Sequence, residues 1–130
     1  MAWVEIFAVF VVSHLIGDFL FQTDWQARHK LGGLGPDRES RRALLAHTAT
    51  YTLAFVPALI WLATDIGAWA IGIGVLIAVP HMIQDDGRLL DAYARRAKKV
   101  PPDAPPGLRL AMDQTCHFVA LFLVALLAAA

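Results

Sequence analysis

Apolar residues fall into four long runs, 3–22, 43–62, 67–84 and 110–129, separated by polar segments that hold nearly all the charge. Each run is close to the about 20 residues needed for a helix to cross a bilayer core. None alternates as a barrel strand does, and backbone groups in hydrocarbon must be satisfied within the segment. The pattern predicts an all-α, four-helix transmembrane bundle forming a single integral membrane domain over residues 1–130. The first run is read as a retained span rather than a signal peptide. No Lys or Arg precedes it, His14 and Asp18 interrupt it, and no small-residue cleavage site closes it.

The polar segments set the orientation. Arg28, Lys30, Arg38, Arg41 and Arg42 lie between spans one and two. Arg88, Arg95, Arg96, Lys98, Lys99 and Arg109 lie between spans three and four, which accounts for all 11 basic residues. Loops rich in Lys and Arg stay in the cytoplasm, so both termini are expected outside. Gly32, Gly33, Gly35 and Pro36 mark a flexible connection, with Ser40 as N-cap of span two. Residues 88–99 form either an interfacial helix on anionic lipid or a solvated extension of span three. Pro101, Pro102, Pro105 and Pro106 then make a stiff spacer, and Pro57 is placed to kink span two.

Composition agrees with the pattern. Hydrophobic residues make up 58% of the chain and charged ones 17%, with a mean hydropathy of +0.54, against about 45–50% apolar in soluble domains. That argues against a soluble enzyme, and a net charge of zero removes the electrostatic footprint of a nucleic-acid partner. The lone Cys116 can form no internal disulfide and is read as a packing residue.

Ionisable groups inside spans are costly and mark function by default. Span one holds His14 and Asp18, span three His81 and Asp85, span four Asp113 and His117, and span two adds His47. Each His–Asp pair is four residues apart, on one helix face. Spans one and three run inward with His first, whereas span four runs outward with Asp first. The three histidines therefore share one layer, and the three aspartates lie about 6 Å nearer the cytoplasm at 1.5 Å rise per residue. His47 lies at a comparable depth.

A single such pair commonly serves as an interhelical clamp; three at matched depth with a fourth His point to metal. Imidazole and carboxylate without thiolate suit Zn²⁺, Mn²⁺ or Fe²⁺, and seven donors exceed the needs of one tetrahedral ion, so two divalent ions are expected. Bis-His haem would leave the aspartates without a role. Gln22, Tyr51 and Gln114 are candidates to orient ligands or substrate. Asp24 and Asp86 are read as solvated charges.

The strings SHLIGDFLFQTDW, HMIQD and DQTCH, in this order and with His47 before a Thr/Tyr-rich span, resemble the DUF3307 family of small bacterial inner-membrane proteins. The resemblance covers essentially the whole chain and implies a multi-pass protein of the bacterial inner membrane. In layout the chain is also loosely similar to membrane-bound metal-dependent hydrolases. It departs from the expected pattern after HMIQD, where Asp86 stands in place of an apolar residue.

Three functions fit these residues. The first is a metal-dependent hydrolase acting on a lipid or lipid-linked (phospho)ester at the cytoplasmic leaflet. Its metal would activate a water, with Asp18 as general base beside the small Gly17. The second is a carrier of metal ions or protons, which needs polar residues in the outer half, where there is little beyond Glu5, Thr50, Thr52 and Thr64. The third is a structural subunit without catalysis.

Overall fold

The computed structural model describes residues 1–130 as six α-helices without strands. They are α1 (Trp3–Leu15), α2 (Asp24–His29), α3 (Arg38–Ile66), α4 (Trp69–Asp85), α5 (Arg88–Arg96) and α6 (Pro106–Ala128). α1 continues into a π-helical stretch, Ile16–Phe21. Helices α1, α3, α4 and α6 form the bundle.

The terminal end is knit together. The Met1 amine pairs with Asp65 at 2.6 Å beside the α3–α4 turn, and Trp3 packs edge-on against Phe122 of α6. Gly67 makes that turn at a φ of 61°, which an L side chain adopts only under strain. Both termini therefore lie at one end and the two basic segments at the other, as the charge pattern predicts.

Three helical segments, Trp3–Phe21, Arg38–Ile66 and Pro106–Ala128, are long and apolar enough to cross a membrane. Their outward faces expose Leu20, Leu53, Ile60 and Leu123, an apolar surface that a water-soluble bundle would cover. The expected fourth span is shorter. α4 has 17 residues, about 25 Å at 1.5 Å per residue, because Gly67 bounds it at one end and Gly87, at a φ of 78°, breaks it at the other. α3 runs through Pro57, and its N-cap is Asp37, not Ser40: the Asp37 carboxylate accepts from the Ser40 N–H at 2.7 Å and is held below the usual carboxylate range by that bond.

Two loop expectations are corrected. The segment after span one is ordered: Thr23 and Gln26 close a capping box on α2, and the glycine turn packs so tightly that a Cβ on Gly33 would meet Leu44 and the Ser40 carbonyl at 2.6 Å. Asp86 is buried, not solvated. It accepts from the Leu34 N–H at 2.8 Å and pairs with Arg88 at 2.6 Å, while its carbonyl takes the Gly32 N–H at 2.9 Å. The left-handed Gly87 also makes α5 a separate helix rather than an extension of span three, with Leu89 and Tyr93 exposed beside Arg95 and Arg96. Asp24 is solvated as expected, pairing with Arg28, whereas Cys116 is exposed rather than packed.

Above the polar residues the bundle is closed by Phe10, Phe55, Leu62, Ile77 and Leu121, all buried.

Candidate metal centre

His14, His47, His81 and His117, one from each helix of the bundle, converge as the depth argument requires. Ring centroids of His47 and His81 lie 5.1 Å apart, those of His81 and His117 4.9 Å, and those of His14 and His117 5.2 Å. All four are buried, with Asp18 and Asp85 beneath them.

Asp85 is the hub. Its Oδ2 lies 2.8 Å from His47 Nε2 and 3.1 Å from His81 Nε2, and its Oδ1 lies 3.4 Å from His117 Nε2. Asp18 Oδ1 completes the first set, 3.2 Å from His47 Nε2 and 3.7 Å from His81 Nε2. Two groups of donors result. Asp18, His47, His81 and Asp85 form a fully buried set of four, and Asp85, Asp113 and His117 a set of three, each with its ligand atoms within 4.8 Å of one another. The groups share Asp85, one oxygen turned toward each.

This donor set fits a metal. Ligands about 2.0–2.1 Å from a tetrahedral ion lie about 3.3–3.4 Å from one another. The His47 and His81 nitrogens are 3.1 Å apart, within the 2.8–3.7 Å spread of their carboxylate contacts. His117 adds a second sign. Its Nδ1–H donates to the Asp113 carbonyl at 2.8 Å, which in the neutral ring leaves the lone pair on Nε2, and Nε2 faces Asp85 Oδ1 at 3.4 Å without a hydrogen bond. Two buried acceptors facing each other need a cation or a proton between them.

His14 lies outside both groups. Gln114 turns its NH₂ toward the Asp18 and Asp113 carboxylates, each at 3.4 Å, so its carbonyl oxygen accepts from His14 Nε2 at 2.9 Å. His14 Nδ1 is then the acceptor for the Tyr51 hydroxyl, also at 2.9 Å. Both its nitrogens are engaged, and it buttresses the layer.

Tyr51 has a larger part than its spacing from His47 suggested. Its ring stacks on His81 with centroids 3.3 Å apart and planes 4° from parallel. The Nδ1 atoms of His47 and His81 have no hydrogen-bond partner, and for His81 ring stacking on Tyr51 takes the place of the partner that usually fixes a ligating imidazole. Gly17 makes this possible. A Cβ there would meet Tyr51 Cδ2 at 2.6 Å, so Gly17 makes room for Tyr51 rather than for a substrate beside Asp18. The π-helical stretch carries Gly17 and Asp18 together, and such bulges are frequent at functional sites. Gln22 ends it, donating to the Asp18 carbonyl at 3.1 Å.

A cleft of ≈ 300 Å³ opens at the basic end of the centre, lined by Asp18, Asp85, Asp113, Gln22 and Gln114 and by the cations Lys30 and Arg109. Lys30 was not singled out by sequence, yet its Nζ lies 2.7 Å from Asp85 Oδ2. The packing of α2, whose C-cap it is, and the docking of the following turn on Asp86 bring it there, and no motif records that.

The family described as "Protein of unknown function (DUF3307)" matches residues 6–130. No curated protein and no solved structure matches the chain.

Proposed function

The chain belongs to the DUF3307 family, and from that premise we propose that it is a membrane-embedded metalloprotein of the bacterial inner membrane, a metal-dependent hydrolase of a lipid or lipid-linked (phospho)ester. The observation that carries this reading is the pair of donor groups sharing Asp85. The set of four has the character of a closed site; the set of three, with Asp113 23% exposed at the cleft, leaves coordination positions free, as catalytic sites do. Zn²⁺, Mn²⁺ or Fe²⁺ bound there would lower the pKa of a water to about 7 and polarise the substrate oxygen.

Asp18 supports the chemistry from the side. Its Oδ1 faces His47 and His81, while Oδ2, beside the Gln114 NH₂, is the oxygen left to accept the proton of an attacking water. The water oxygen bonds to phosphorus or acyl carbon, the ester bond breaks, and that proton passes to the leaving alkoxide. Gln114 orients Asp18 and Asp113 together.

The carrier reading has no comparable support, because Phe10, Phe55 and Leu62 close the bundle above the histidine layer. The test is hydrolysis of phospholipids and lipid-linked phosphoesters by metal-loaded protein in detergent. Turnover by wild type is expected, and its loss in Asp18→Asn with metal retained at Asp85, Asp113 and His117, the group that does not include Asp18. Metal or proton flux across liposomes without turnover would replace the hydrolase by a carrier.

A further inference from the structure

Lys30 and a metal ion at the set of four cannot both hold the same atom. The ammonium sits 2.7 Å from Asp85 Oδ2, the oxygen that faces His47 and His81. We propose that Lys30 is an exchangeable cation: it neutralises Asp85 without metal, yields Oδ2 to the ion, and then binds a phosphate ester in the cleft. This rests on the metal reading above and narrows its ligand from esters in general to those that carry a phosphate.

The loop permits such an exchange without moving its backbone. The glycine turn is pinned by the Asp86 bonds to Gly32 and Leu34, and the Lys30 N–H is tied to the Gln26 carbonyl at 3.0 Å. Only the four-carbon stem has to swing, and its 14% exposure places the side chain at the cleft wall. Charge supplies the direction. Asp18, Asp85 and Asp113 outnumber Lys30 and Arg109 in the cleft, so an anion is repelled until a divalent ion reverses the balance. Arg109, held by Asp91 at 3.0 Å, is the fixed second cation. An ammonium released from Asp85 in that setting meets an anion, and phosphate matches a Lys–Arg pair. The exposed side chains of Phe19 and Leu110 flank the same cleft, which suits a phosphate carried on hydrocarbon.

The test is zinc affinity of the full chain in detergent, by competition with a chromogenic chelator, for wild type, Lys30→Met and Lys30→Arg. Inorganic phosphate or dioctanoyl phosphatidate is added in separate arms. Without phosphate, Lys30→Met should bind zinc about tenfold more tightly than wild type, the scale of one charge-assisted contact removed from competition. Phosphatidate should tighten zinc binding by wild type and Lys30→Arg but not by Lys30→Met, and inorganic phosphate should act more weakly. Zinc affinity of Lys30→Met equal to or below that of wild type overturns the exchange. Equal phosphatidate responses in Lys30→Met and wild type overturn the anion role, and equal responses of wild type to the two phosphates overturn the lipid source. Absence of zinc binding by folded wild type removes the metal reading as well, so the two failures are distinct.

Discussion

Replacing Gly17 by Ala adds one methyl group, and the structure fixes where it goes. The new Cβ falls 2.6 Å from Tyr51 Cδ2 and 3.3 Å from Tyr51 Cα, where ordinary contact begins at 3.4 Å. The ring cannot retreat freely, since its other face lies on His81 with centroids 3.3 Å apart and its hydroxyl is bonded to His14. Because Cα is also too close, the π-helical stretch and α3 must separate as well. Overpacking of this kind costs about 1–3 kcal/mol. Since Tyr51 stands in for the partner that orients a ligating His, zinc affinity should fall about 10–100-fold, the usual penalty for losing an orienting group. The assay is chelator competition together with thermal unfolding in detergent. Tyr51→Phe, which keeps the stack and loses only the bond to His14, should have the smaller effect. Gly17→Ala with wild-type zinc affinity would refute the chain of contacts from Gly17 through Tyr51 to His81.

Further predictions concern the loop, the two donor groups and the orientation. Asp86→Asn should loosen the glycine turn and cost about 1–3 kcal/mol of stability, read by unfolding and by proteolysis within residues 30–37. Burial opposes ionisation of Asp86, but Arg88 and the Leu34 N–H outweigh it and hold the carboxyl below its usual range. The docking is therefore fully present above the ordinary carboxylate pKa and is lost as pH falls through the lowered value. His117→Ala should retain metal in the set of four and lose turnover, as measured by elemental analysis beside the hydrolysis assay. A reporter fused after Ala130 should be active outside the cytoplasm, and cytoplasmic activity would reverse the orientation.

Much of the centre was legible because its pairs are local. Four-residue spacing puts His81 and Asp85 on one helix face whatever the bundle does, and the reversed order in span four fixes relative depth from chain direction alone. What escaped depends on contacts between segments. His14 reads as a ligand until Tyr51 and Gln114, from two other helices, engage both its nitrogens. Lys30 reaches Asp85 from the C-cap of α2, next to the turn that Asp86 anchors, and that anchoring gives a role to the acidic residue that departs from the expected pattern. Gly17 reads as open space, whereas it is the seat of an aromatic ring. α2 had a readable signal in the Thr23-to-Gln26 capping box, masked by the glycines that follow.

Asp85 is the one residue both donor groups share, so metal stoichiometry distinguishes a shared two-ion centre from His–Asp pairs that only clamp helices. Elemental analysis of gently purified wild type, after reconstitution and desalting, should give two transition-metal ions per chain, and folded Asp85→Ala should give none. Metal-free wild type that takes up no ion on reconstitution, or Asp85→Ala that retains the wild-type content, would contradict it.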